Sequence, residues 1–150
     1  MAAKVSNLIA GGERLGKELK TNGATIEPGL LVKLDSGGST VSLNTVNNNP
    51  LGIAYGNRYN TYRPTTRVFA NDEPLVVVNG YGEMLLSSDF FTGGSLPAAG
   101  DLLYAQASGL WGMQGSAKVG HCVGIRTRTE PVNGTGSSQN LAHVRFNIVP

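Results

Sequence analysis

Short apolar runs separated by turn-forming residues make up most of the chain from about residue 25 onward. Each run is rich in Val, Leu, Ile, Tyr or Phe. The residues between the runs are mostly Gly, Asn, Ser and Pro, which is typical of short strands joined by turns. The predicted strands are Leu30–Asp35, Thr40–Leu43, Leu51–Tyr55, Thr66–Phe69, Leu75–Leu86, Leu102–Ala105, Leu110–Met113, His121–Thr127 and Leu141–Val149. We expect Leu75–Leu86 to bend at Gly80 or Gly82. Residues 25–150 are therefore predicted to form one all-β domain, and a barrel, a sandwich or two fused small barrels all satisfy the pattern.

The last predicted strand has the clearest alternation. Ala142, Val144, Phe146 and Ile148 fall on one face, and His143, Arg145 and Asn147 fall on the other. Because successive strand residues point to opposite faces, we expect the first set to pack inward and the second to meet water or a partner.

The first 24 residues lack this regularity. Their apolar residues are spaced unevenly, and Gly12 and Gly16 argue against a helix over GERLGKELK, since each costs about 1 kcal/mol relative to Ala. We interpret residues 1–24 as an extended N-terminal arm that becomes ordered by lying on a neighbour. The alternative is a frayed terminus without a role.

The two halves of the predicted β domain resemble each other. Residues 28–42 are similar to residues 99–113, and residues 51–55 are similar to residues 123–127. This similarity predicts half-repeats over 25–80 and 97–150. The alternative is that the similarity does not come from duplication, because any series of strands joined by glycine turns resembles itself.

Composition and charge narrow the classes of protein that the chain can represent. Only 15% of the residues are charged and 21 are Gly, which is unlike a coiled coil or a helical bundle. The net charge of +2 resides in residues 1–20, so the rest of the chain is neutral and we expect no binding to nucleic acid. No apolar stretch approaches the roughly 18 residues of a membrane-spanning helix, so we expect neither a membrane segment nor a secretory signal.

The sequence contains little that indicates catalysis. His121 and Cys122 are adjacent in a predicted strand, so their side chains should point to opposite faces, although His143 could approach Cys122 from another strand. One cysteine and two histidines match no common metal-ligand spacing. We therefore expect no enzyme activity, cofactor, metal or small-molecule substrate.

The long loop at residues 56–67 concentrates the residue types that dominate protein interfaces, Tyr and Arg. Together with the basic residues of the arm it forms the predicted protein interface. The candidate residues are Lys4, Arg14, Lys17, Lys20, Arg58, Tyr59, Tyr62, Arg63 and Arg67. The alternative is that the loop tyrosines pack on their own domain.

Three phrases, PGLLVKLDSGGSTVS, NNNPLGIAYGNR and EPLVVVNGYG, resemble the head decoration (cement) proteins of tailed bacteriophages. The residues that carry the resemblance are Gly29, Leu31, Val32, Pro50, Gly52, Ile53, Ala54, Val76, Val78 and Gly80. The later segments AGDLLYAQASGLWG and KVGHCVGI resemble the second part of the same layout, so the resemblance covers roughly residues 25–150.

The resemblance implies a small β-barrel or β-sandwich of the β-tulip type, often trimeric, that binds outside a mature capsid. Its partners would be the major capsid protein and its own copies, and it would reside on the virion after synthesis in the bacterial cytoplasm. The alternative is a non-enzymatic tail or surface module that binds protein or glycan, the latter through stacking on Trp111, Tyr104 and Tyr59.

Overall fold

The computed structural model describes residues 5–15, 19–23, 25–55, 74–129 and 138–149. The strands are β1 (Ser6–Arg14), β2 (Leu19–Thr21), β3 (Leu31–Leu34), β4 (Thr40–Leu43), β5 (Gly52–Tyr55), β6 (Pro74–Leu86), β7 (Leu102–Ala105), β8 (Trp111–Gly112), β9 (Lys118–Thr129) and β10 (Ser138–Ile148). Single turns of 3-10 helix occur at Ser88–Phe90, Thr92–Gly94 and Ala107–Gly109. The prediction of an all-β fold is confirmed, whereas the predicted strand Thr66–Phe69 lies outside the described residues.

Five strands close into a small barrel. The pairing runs from β2 through β4, β3, β5 and β6, and β6 pairs with β2 again to complete the ring. Each strand contributes at least one apolar side chain to the interior: Leu19, Val32, Val41, Ala54, Leu75 and Val77, joined by Ile26 from the segment before β3. Of the alternatives that the sequence left open, the barrel is therefore the one adopted, with further strands outside it.

A second sheet extends from the barrel through β6, in the order β6-β10-β9-β7-β8. A larger core fills the space between this sheet and the outer side of the barrel, and it includes Leu31 and Ile53 from the barrel and Leu103, Val144 and Phe146 from the sheet. Neighbouring residues on one strand thus enter different cores: Leu31 faces the larger core, and Val32 faces the barrel interior. This double burial explains why β5 and residues 75–78 of β6 are continuously apolar rather than alternating.

The strand β6 connects the two parts because its partners change along its length. One edge pairs with β5 over Val76–Val78 and then with β10 over Gly80–Leu86. The change occurs at Gly80, whose φ of 75° is a left-handed conformation that glycine adopts without strain. The sequence predicted a bend at Gly80 or Gly82, and the change of partner falls at Gly80.

The prediction of an extended N-terminal arm over residues 1–24 is not confirmed. Residues Ser6–Arg14 pair antiparallel with β6 of the same chain, and Leu19, fully buried in β2, helps to close the barrel. The strand was not apparent in the sequence because its pairing has two irregularities, between Leu8 and Ala10 and between Gly11 and Glu13. Each irregularity breaks the period of two on which a strand prediction depends.

The two halves share one strand order. The first half pairs as β4-β3-β5-β6 and the second as β8-β7-β9-β10, with β6 and β10 adjacent. The register differs from the one that the sequence similarity suggested, since Gly52 corresponds to Gly120 rather than to Gly124. Both glycines lie where an added Cβ would meet backbone of the next strand. Duplication itself stays a prediction.

Candidate protein interface

The outer face of the second sheet carries polar side chains on three neighbouring strands. On β10 the residues His143, Arg145 and Asn147 alternate with the core residues, as the pattern predicts, but His143 is only 8% exposed and does not meet water as expected. The pairing of β10 places Arg145 opposite Glu83 of β6 and opposite His121 of β9. The register of the sheet therefore brings together acidic and basic side chains that are far apart in the sequence.

Glu83 is the acidic member of this group, and two side chains of β10 stabilise its charge. His143 Nε2 lies 2.8 Å from Glu83 Oε1, and Arg145 Nη2 lies 3.4 Å from the same oxygen. The hydrogen bond from His143 and the contact with Arg145 together outweigh desolvation and hold the pKa of Glu83 below its usual value. The Arg145 side chain is still 42% exposed, so most of its guanidinium donors face outward.

A groove of about 360 Å³ lies beside this ion pair. Its walls are the side chains of Tyr81, Lys118, His121, Arg145 and Asn147, and Gly120 and Phe146 complete its lining. We call it the cationic groove, because the charged side chains that line it are basic. Tyr81, which is 61% exposed, lies directly opposite Asn147 in the pairing of β6 with β10.

The predicted interface residues only partly fall on the described part of the chain. Arg14 ends β1 opposite Val78, and Lys20 lies in β2 opposite Pro74, so both lie along one edge of β6 and both are exposed. Neither residue lines the cationic groove. The remaining candidates lie outside the described residues: Lys4, Lys17, Arg58, Tyr59, Tyr62, Arg63 and Arg67.

Sequence reasoning did not assign Tyr81, Lys118, His121, Arg145 and Asn147 to one site. The alternation on β10 did identify Arg145 and Asn147 as outward-facing. The missing signal is the register. The pairing of β6 and β9 with β10 places Tyr81 opposite Asn147 and His121 opposite Arg145, and Lys118 lies on β9 just beyond its last residue paired with β10.

The Cys122 side chain lies in the larger core, away from both histidines. His121 lines the cationic groove, whereas Cys122 is 1% exposed and lies opposite Val144, so the prediction that the two point to opposite faces is confirmed. Burial raises the pKa of the Cys122 thiol, which disfavours the reactive thiolate. The approach of His143 to Cys122 that the sequence allowed is not found, because His143 contacts Glu83 on the outer face.

Trp111 is a core residue rather than a surface for stacking on a sugar. Its side chain is fully buried, and its Nε1–H donates a 2.9 Å hydrogen bond to the carbonyl oxygen of Gly29. This bond joins β8 to the segment that precedes β3, so Trp111 holds the second sheet against the barrel. Tyr104 is partly buried, and Tyr59 lies outside the described residues.

Within the described part of the chain, no three His, Cys, Asp or Glu residues are grouped so that they could hold a metal ion. Its helices include none that is long and apolar enough to cross a membrane.

Comparison with known proteins gives no family for this chain. No protein-family model matches the sequence, and none of the curated proteins matches it significantly.

Proposed function

We propose that the protein is a capsid decoration protein that binds the outside of a mature phage head and bridges neighbouring capsomers. The observation that carries the proposal is where the resemblance motifs lie in the fold. Most of the motif residues belong to β3, β5 and β6, which are three strands of the closed barrel. Most of the resemblance residues therefore lie on three of the five barrel strands, next to one another in the sheet, rather than scattered over the fold.

The architecture also supports a role in binding other proteins. The second sheet is joined to the barrel through β6, which takes part in both cores, and the outer face of this sheet exposes Tyr81 and Arg145. Tyr and Arg are the residue types that contribute most to protein interfaces. Many copies on a symmetric shell would stabilise it through avidity even where each single contact is weak. The partners in this proposal are the major capsid protein and further copies of this chain, arranged as a trimer.

Co-sedimentation with shells tests the proposal. Purified protein is mixed with expanded, undecorated phage heads and, as the control, with unexpanded proheads of the same phage. We expect saturable binding to the expanded heads only, and greater resistance of the decorated heads to heat. No co-sedimentation at saturating protein would contradict the proposal. Light scattering of the free protein, with a trimeric mass as the expected result, tests the oligomeric part separately.

A further inference from the structure

We propose that the cationic groove binds an acidic peptide segment of a partner protein, with Lys118 and Arg145 as the residues that receive its carboxylates. The groove lies on β6, β9 and β10, and none of the residues that line it is among the candidates predicted in the arm and the loop. Identification of the partner as a shell protein rests on the proposed function, whereas the peptide chemistry of the groove does not.

The charges around the groove favour a carboxylate ligand. The ionisable side chains that line it are Tyr81, Lys118, His121 and Arg145, and Asp and Glu are absent from its lining residues. The nearby Glu83 already accepts hydrogen bonds from His143 and Arg145 through one oxygen, so its charge is partly compensated. Lys118 is exposed, and no Asp or Glu of the described residues forms a salt bridge with it, which leaves its ammonium group for a ligand.

The position of Arg145 suits the recognition of a carboxylate. Its contact with Glu83 at 3.4 Å involves a single Nη atom, so the other donors of the planar guanidinium remain to bind a second carboxylate. The same contact restrains the side chain, which reduces the entropy lost when a ligand binds. Glu83 is thus a positioning residue for Arg145 in this proposal.

The dimensions of the groove favour a peptide over a single small anion. Its volume of about 360 Å³ lies in the range of about 300–1,000 Å³ that is typical of ligand sites. The basic side chains stand on two neighbouring strands, with Lys118 and His121 on β9 and with Arg145 of β10 opposite His121, so a peptide with more than one carboxylate matches this lining. The exposed ring of Tyr81 and the amide of Asn147 supply the apolar and polar contacts that a peptide backbone and its side chains need.

The test uses the full chain and a capped peptide with three glutamates separated by glycines, titrated by NMR. The control peptide has glutamines in place of the glutamates. We expect the backbone amides of Tyr81, Lys118, His121, Arg145 and Asn147 to shift with the glutamate peptide only. Binding should weaken as the salt concentration rises, because the charges are exposed to solvent.

Two variants and a matched control assign the binding to named residues. We expect Lys118→Gln and Arg145→Gln each to weaken binding by about threefold, the change typical for loss of one exposed charge contact. Arg126→Gln removes an exposed charge from the same strand as Lys118 but outside the groove, and it should bind like the wild type. A thermal melt of each variant checks that it is folded.

The outcomes separate this inference from the proposed function. Three results would each overturn the inference about the groove. The first is that the glutamine peptide binds as tightly as the glutamate peptide, and the second is that Arg126→Gln weakens peptide binding as much as the two groove variants do. The third is that the oligonucleotide hexathymidylate binds more tightly than the glutamate peptide. Wild-type protein that binds the glutamate peptide but fails to sediment with expanded heads would overturn the decoration role alone. If Lys118→Gln weakens peptide binding and head binding together, both the inference and the proposed function are supported.

Discussion

At the scale of single residues, glycine allows the strands of this protein to approach each other closely. Gly120 of β9 lies opposite Phe146 of β10, and a Cβ at this position would overlap the carbonyl oxygen of Arg145. Gly124, four residues further along the same strand, has no atom within 4 Å of the position that its Cβ would occupy. The two glycines therefore provide a matched pair for testing whether close strand approach is required.

We predict that Gly120→Ala destabilises the protein by about 1–3 kcal/mol, the usual cost of overpacking. The added methyl group must push β10 away from β9, because it meets backbone rather than the end of a flexible side chain. Urea unfolding measures the effect, and Gly124→Ala should lie within about 0.5 kcal/mol of the wild type. Equal stability of the two variants would mean that the strands can separate at Gly120 without cost.

A second residue-scale feature is the Asp35 carboxylate, which ties the β3–β4 hairpin to the end of β2. It accepts hydrogen bonds from Thr40 and Ser42 at 2.7 Å and from Asn22 at 3.2 Å. Burial opposes ionisation, but these hydrogen bonds, with a smaller contribution from Lys33, hold the pKa of Asp35 below its usual value of 3.8. The ionised form of Asp35 is therefore more stable in the folded protein than in the unfolded chain.

We predict that Asp35→Asn destabilises the protein at pH 7 and that its deficit shrinks in acid. Since the folded pKa is depressed, the stabilisation by the wild-type carboxylate is fully present above pH 3.8 and is lost as the pH falls through the lower, folded-state pKa. Thermal melts of both proteins from pH 7 down to pH 2 measure the difference. A deficit that stays constant over this range would show that the charge of Asp35 contributes nothing to stability.

At the scale of elements, the part of β6 that belongs to the barrel is buried on both faces. Val77 and Val78 are adjacent on β6, and each is 1% exposed, but Val77 lies in the barrel interior and Val78 in the larger core. In a sheet with one solvated face, one of two neighbouring valines would tolerate a polar replacement. In β6 we expect neither valine to tolerate a polar replacement.

We predict that Val77→Thr and Val78→Thr each lower the free energy of unfolding by about 1–3 kcal/mol, because each buries a hydroxyl in an apolar environment. Val123→Thr on β9 is the control, since Val123 is 38% exposed and its hydroxyl can bond to water. Urea denaturation of the three variants gives the comparison. Tolerance of either β6 variant would identify a face of that strand that is not part of a packed core.

Prediction from sequence succeeded where the apolar pattern was regular and failed where it was not. The predicted strands Thr40–Leu43 and Leu102–Ala105 match β4 and β7 in their bounds, and the inward set on β10 is buried as expected. β1 was missed because irregular pairing near Gly11 disrupts its alternation. β2, with three residues, is too short to show any period.

At the scale of the whole molecule, the barrel and the second sheet depend on each other. They share β6, and the hydrogen bond from Trp111 to Gly29 links the sheet to the segment that enters the barrel. Asn47 adds a further link, since its amide oxygen accepts a hydrogen bond from the backbone of Ser116. These connections argue that neither part is an independent folding unit.

We predict that the protein unfolds in one cooperative transition. The fluorescence of Trp111 reports the larger core and far-UV circular dichroism reports all strands, so their midpoints should coincide in urea. Asp35→Asn, which perturbs the barrel, should shift the midpoint of the Trp111 signal as much as that of the dichroism. Separate transitions, or a Trp111 signal unaffected by this variant, would show that the two parts unfold independently.

The sequence by itself determined the β class, most strand positions and the inward face of β10, because each is encoded in local spacing and turn chemistry. Tertiary structure alone decided that β2 closes the barrel, that the N-terminal residues join the sheet, and that Tyr81, Lys118 and Arg145 line one groove. These features depend on strand register and on pairing between residues far apart in the chain. Local spacing carries no information about that pairing, because a strand with an apolar face is compatible with several different partners. The partner is selected only when all the strands pack around a common core.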